Sequence, residues 1–159
     1  MRRSLLLILL WPGLSGVLHA DDRAPWFVSP GLRMSYCFGD RQGFSLGFEV
    51  SVFTWVHWSP SSEYSGAVGI IFDVDASGPR RRVHIGIEAS EMWVGVSAGP
   101  TFITEDGERY TGFTATAYSF YWAYPFYSYT WARGIGSIHD IGAYIKLPIP
   151  ITRGPIFNQ

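Results

Sequence analysis

From Gly31 onward, large apolar residues and small or polar ones alternate along the chain, and short polar or glycine-containing breaks interrupt the alternation at intervals. A period of two is the mark of a strand, because successive side chains point to opposite faces. In GLRMSYCFG, Leu32, Met34, Tyr36 and Phe38 share one face, and Arg33, Ser35 and Cys37 the other. Between Gly43 and Trp58, Phe44, Leu46, Phe48, Val50 and Val52 oppose Ser45, Gly47, Glu49 and Ser51. From Ala67 to Val74, Val68, Ile70 and Phe72 oppose Gly69, Ile71 and Asp73. The cleanest segment, Arg82 to Ser90, sets Val83, Ile85, Ile87 and Ala89 against His84, Gly86, Glu88 and Ser90.

The alternation continues through Met92, Val94, Val96 and Ala98, with Trp93 on the side of Gly95, Ser97 and Gly99. Tyr110 to Tyr121 is rich in Thr, Tyr and Phe, with both faces mixed, and a short strand is expected around Phe126 to Trp131. In the last segment Ile141, Ala143, Ile145 and Leu147 oppose Gly142, Tyr144 and Lys146, and Pro148 and Pro150 are expected to end pairing. No segment after the N-terminal leader keeps an apolar 3.6 period. Breaks such as GDRQG, DASGP, EDGE and RGIGS are short enough for hairpins. The expected fold is all-β: a single up-and-down antiparallel barrel of about eight strands, closed so that no edge is left open.

The contrast between faces decides which kind of barrel. One face is continuously large and apolar, and the other is Ser, Gly, Thr and a few charges, too sparsely charged for a water-facing exterior. Apolar side out and polar side in is the arrangement that suits lipid, so a transmembrane type is expected. Aromatic rings should then gather at the two bilayer interfaces, with Trp55, Trp58, Trp93, Tyr121, Trp122, Tyr124 and Phe126 at one end and Trp131 among a thinner set at the other.

Charges on the small-residue face should pair in the lumen, since a lone buried charge is costly. A turn on Asp40-Arg41-Gln42 would set Gly39 against Gly43 and Arg33 against Glu49. A register pairing Asp73 with Arg82 would set Ala67 against Glu88. An internal network of Arg33, Glu49, Asp73, Arg82, Glu88 and Lys146 is expected, chiefly structural, with gating or a narrow polar pore as the other reading.

The N-terminus adds a location. MRRSLLLILLWPGLSGVLHA carries Arg2 and Arg3, an apolar stretch from Leu5 to Trp11, and Ala20 as a small residue for a peptidase. The apolar stretch is too short to span a bilayer of ~30 Å. The expected division is a signal peptide over 1–20, an N-terminal extension over 21–29, the barrel over 30–148 and a tail over 149–159. Cleavage would take the formal charge from −1 to about −3, which excludes a nucleic-acid partner. A single cysteine, Cys37, allows no internal disulfide. Only 16% of residues are charged while 17% are aromatic, a balance that deepens the membrane expectation.

In GFSLGFEVSV, RVHIGIEAS, VGVSAGPTF and IGAYIKLPI, the chain resembles the small eight-stranded outer-membrane barrels of Gram-negative bacteria, of the OmpA transmembrane-domain and OmpX type. The resemblance covers nearly all of residues 27–148. It implies insertion in the outer membrane, roles from envelope integrity to adhesion or lipid modification, and outer-membrane lipid and the barrel-assembly machinery as partners. The chain departs from the pattern in ending on PIPITRGPIFNQ rather than a terminal aromatic, and its outer loops are very short.

Catalytic chemistry finds little support. Beyond His19 in the leader, His57, His84 and His139 remain; His84 and Glu88 share a face but stand ~13 Å apart along a strand. His139 and Asp140 are adjacent and should face opposite ways. A Ser-His-acid lipid hydrolase would need cross-strand contacts. No metal-ligand spacing stands out, no cofactor is expected, and Cys37 reads as an inert lumen or wall residue. Arg80 and Arg81 in the break before Arg82 are candidates for binding phosphates of lipopolysaccharide, against a plain turn with one arginine turned inward. The acidic turn of Glu105, Asp106 and Glu108 reads as a hairpin at least as well as a calcium loop. A monomeric, non-enzymatic envelope protein is expected, with a soluble secreted or periplasmic barrel binding an apolar ligand as the alternative. Phe48, Val50, Ile85 and Ile87 pointing inward, with Glu49 and Glu88 outside, would favour the soluble version.

Overall fold

The computed structural model describes residues 26–39, 42–57, 65–91, 93–119 and 123–151. Nine strands follow one another: β1 (Trp26–Gly39), β2 (Gly43–His57), β3 (Ser65–Ser77), β4 (Arg80–Glu91), β5 (Val94–Glu105), β6 (Glu108–Ser119), β7 (Tyr124–Ala132), β8 (Gly136–Lys146) and the short β9 (Ile149–Pro150). Each of the first seven pairs antiparallel with the next, β8 pairs with β1 and the short β9 adds to the start of β1, so the sheet closes into an eight-stranded up-and-down barrel. Closure gives each of the eight barrel strands two neighbours.

Tight turns hold three of the hairpins. Between β5 and β6, Asp106 and Gly107 both have positive φ, 51° and 85°, as a two-residue type I′ turn requires. Between β3 and β4 the loop is Gly78-Pro79, closed by Ser77 opposite Arg80. Gly78 has φ 58° and proline fixes φ near −65°, the pair of values a type II′ turn needs. Arg133, Gly134 and Ile135 join β7 to β8.

Two registers differ from expectation, each by two residues. Arg33 lies opposite Gly47, and Glu49 opposite Gly31, because pairing between β1 and β2 stops at Cys37 and Gly43 and leaves a longer loop. Gly39, with φ 104°, is meanwhile engaged on its other side with Ile138 of β8. In the next hairpin Asp75, not Asp73, faces Arg82, and Gly69, not Ala67, faces Glu88. The expected register would have made Pro79 a closing strand residue, a place where its missing N–H loses a ladder bond. A slip of two preserves the face of every side chain, so the inside and the outside are as expected.

The ends also run further than the sequence suggested. Strand β1 begins at Trp26, inside the expected extension, and beyond Lys146 the chain keeps pairing with it. Leu147 N–H donates to the Pro30 carbonyl at 3.0 Å and Ile151 N–H to the Trp26 carbonyl at 2.8 Å. Pro150 lies opposite Phe27 in β9 rather than ending the pairing. Alternate residues point their N–H groups at β1, and Pro148 and Pro150 fall on the other positions, where no N–H is needed. The signal peptide expected over residues 1–20 and the expected tail from residue 152 onward lie outside the described residues.

The wall is inverted relative to a soluble barrel. Ile87 is 72% exposed, and Phe48, Ile85, Leu46, Ile70 and Phe113 also face outward, while Glu49 is 0% exposed within. On β4 the outward positions between Arg81 and Glu91 are Val83, Ile85, Ile87 and Ala89. Ten residues at ~3.3 Å each, tilted by ~40°, give an uncharged band of ~25 Å, the height of the lipid-facing band of membrane barrels.

Candidate functional site in the barrel lumen

The lumen is built in three levels along the barrel axis, each set by the inward alternate residues. At the end of the β1–β2, β3–β4, β5–β6 and β7–β8 hairpins, Cys37, Ile103, Ala132, Ile135 and Ile138 pack together with Tyr110 against them. This apolar plug closes that end. Ile103, Ile135, Ile138 and Tyr110 pack there around the small Cys37 and Ala132, while Ser77 and Arg80 are buried at the tip of the β3–β4 hairpin.

The middle level is an ion network. Arg33 bonds Asp73 and lies 3.3 Å from both Asp75 and Asp140. Arg82 Nε donates to Asp75 at 2.8 Å and its Nη1 to Asp140 at 2.7 Å. Five groups from β1, β3, β4 and β8 thus share two guanidinium forks, whose planar multiple donors suit bridging carboxylates on different strands. Uncharged hydroxyls complete the shell. Ser45 donates to Asp75 at 2.9 Å, and Cys37 Sγ to Asp140 at 2.7 Å. Thr101, Thr114 and Thr130 link across β5, β6 and β7 at 2.5 and 2.7 Å, and Arg82 reaches Thr130 at 3.2 Å. His84 joins the same chain through Thr101 at 3.1 Å, seated over Gly86. It is sealed from both solvent and lipid.

The third level holds Lys146, which bonds Glu49, stands 3.9 Å from Glu88 and reaches Ser51 at 3.3 Å. Tyr118 donates to Glu88 at 3.1 Å. Rings brace both cations: Arg33 lies 4.7 Å from the Phe126 ring centre, and Lys146 lies 4.9 Å from that of Tyr144. Beyond this level the lumen opens into a vestibule of about 220 Å³, lined by Phe27, Phe53, Trp55, Tyr118 and Tyr124, with Ser29, Ser51 and Ser90 among the rings. Phe27 and Phe53 stack at 5.3 Å, and Trp55 meets both edge-on at 6.3 Å.

The six charges expected in the lumen all face inward, but in two groups: Arg33, Asp73 and Arg82 in one, Glu49, Glu88 and Lys146 in the other. Asp75 and Asp140 join the first and were not anticipated. Both were legible, since Asp75 is two residues from Asp73 and Asp140 two from Gly142, on the faces already read as interior. Arg80 and Arg81 do not converge on one anion: Arg80 is buried inside the wall and Arg81 is exposed on its outer side.

Of the expected girdle, Trp131 is 54% exposed on the outer wall and Trp93 is exposed at a turn. Phe126 does not belong to it. Only 4% exposed, it stacks on Tyr144 inside the barrel at 4.3 Å. Trp55 and Tyr124 also occupy inward positions at the vestibule, because the alternation of β2 and β7 carries them to the lumen face. Trp58, Tyr121 and Trp122 lie outside the described residues. An aromatic group not anticipated sits on the outer wall near the plugged end: Tyr127 bonds His139 at 2.6 Å, and Phe38 stacks on the same imidazole at 5.3 Å.

Among the described residues no group of His, Cys, Asp and Glu is arranged to hold a metal ion. No family model matches the chain, and no curated protein or solved structure matches it, so the closed eight-stranded antiparallel barrel itself is the identification the fold supports.

Proposed function

We propose that this chain is an outer-membrane β-barrel of the small eight-stranded kind, exported by its N-terminal leader, with a structural role in the bacterial envelope and no enzymatic activity. One observation carries the reading: large apolar residues cover the outside of the wall while Arg33, Arg82, Asp73, Asp75 and Asp140 are bonded within it. In water that exterior would be an aggregation surface many times larger than soluble monomers tolerate. Against acyl chains it costs nothing, and closure gives each of the eight barrel strands a hydrogen-bonded neighbour on both sides. The outward Phe48, Ile85 and Ile87 weigh against a soluble barrel with an apolar cavity.

The filled lumen favours structure over conduction. A cation entering from the vestibule meets the Lys146 level, then the two guanidinium groups, then an apolar plug. His84, held inside the wall, has no access to a lipid ester, which supports the non-enzymatic reading.

The test is fractionation followed by electrophoresis with and without heating. The chain should appear in the outer-membrane fraction and run at a different apparent mass when unheated. Recovery in the soluble fraction, with a single mobility, would sink the proposal. Planar bilayers carrying the purified barrel should show no stepwise conductance.

A further inference from the structure

We infer that the open vestibule is a binding site for a small organic cation with an apolar body, an alkylated ammonium being the simplest member of the class. The inference needs only the barrel, and does not depend on which membrane or compartment holds it. Three features of the vestibule point the same way.

Its walls are rings. Phe27, Phe53 and Trp55 form one mutually packed aromatic face, with Tyr118 and Tyr124 across the opening. Such rings attract a cation through their negative faces and offer an apolar body the contacts it wants.

Its floor carries an excess of negative charge. Glu88 and Lys146 line that floor, and Glu49, bonded to Lys146 from outside the lining, adds a second acid to the one ammonium. Glu49 takes that ammonium at one oxygen, and its other oxygen, fully buried, has no hydrogen-bond partner. Glu88, which lines the vestibule, stands 3.9 Å from Lys146 and holds only the Tyr118 hydroxyl closely. A ligand ammonium above Glu88 would supply the missing positive charge. A carboxylate ligand would find Lys146 already engaged and two carboxylates beside it.

Its size selects among cations. About 220 Å³ is roughly seven waters at ~30 Å³ each. A hard divalent ion needs six or more oxygen ligands, and these walls are mainly rings.

The experiment uses the full-length barrel in maltoside micelles, which carry no choline headgroup. Three probes of nearly equal shape are titrated by calorimetry and ligand-observed NMR: choline, its uncharged carbon isostere 3,3-dimethylbutan-1-ol, and the anion 3,3-dimethylbutyrate. Choline should saturate, with the isostere about tenfold weaker and the anion weaker still. Glu88→Gln should cut choline affinity about tenfold and leave the isostere unchanged, and Trp55→Leu should weaken choline several-fold. Retention of the heat-sensitive mobility shows that each variant is folded. Equal binding of choline and its isostere, tighter binding of the anion, no saturation by choline, or a cation preference that survives Glu88→Gln would each overturn the assignment.

Discussion

Arg82 and Asp140, 58 residues apart in the chain, meet at 2.7 Å across the lumen, with Asp75 bonded to the same guanidinium at 2.8 Å. Among the described residues the other cation bonded to these acids is Arg33, so removing Arg82 leaves three buried carboxylates around one described cation. Arg82→Ala should lower unfolding stability by about 3–5 kcal/mol, the usual result of breaking a buried pair on one side. Urea titration of the barrel in micelles, followed by tryptophan fluorescence, measures it. Asp140→Asn keeps the shape and most hydrogen bonds and should cost less.

The outer wall yields a prediction that separates the two kinds of barrel. Ile87 lies near the middle of the uncharged band between Arg81 and Glu91. Ile87→Arg should reduce stability in phospholipid vesicles by about 2–4 kcal/mol, while Thr104→Arg, near the band edge beside Arg81, should cost about 0–1 kcal/mol. Were the wall water-facing, the first substitution would be neutral.

Gly99 faces Gly86 inside the wall, and a methyl group on it would overlap the Ile85 carbonyl oxygen. Nothing flexible can yield there, because the obstacle is backbone. Gly99→Ala should destabilise by about 1–3 kcal/mol and weaken the β4–β5 pairing. Amide exchange at Ile85 and Ile87, compared with the parent barrel, reads the local effect.

Cys37 is fully buried in the plug, with its thiol given to Asp140. A maleimide reagent should leave it unlabelled in the folded barrel and label it fully after denaturation. Labelling at the same rate in both states would mean that the plugged end is open.

Alternation carried most of the architecture. Face assignments for Arg33, Glu49, Asp73, Ile85 and Ile87 follow from a period of two, which no tertiary effect could shift without turning the wall inside out. Register was less legible, since it depends on turn length, and two residues more or less in a loop leave the pattern unchanged. That is why Arg33 was set against Glu49 when it faces Gly47. Asp75 stands in the DASGP break and Asp140 beside His139, so neither reads as part of the lumen until the strands are paired. The vestibule was illegible for another reason. Toward the open mouth the inward face of this barrel is large and aromatic, so Trp55 and Phe126 look like a girdle until their neighbours across the lumen are known.

The guanidinium of Arg33 belongs to the first strand, and one of its acids, Asp140, to the eighth. Until β8 docks on β1, two cations on an open sheet have only Asp73 and Asp75 to share, and the third carboxylate arrives with the last pairing. A docking displaced by two residues would keep every side chain on its own face of the wall, yet carry Asp140 away from both forks. The five charges therefore work as a combination lock on closure: the chain can try many alignments, and only the one that brings all five together lets the ring shut without a stranded ion.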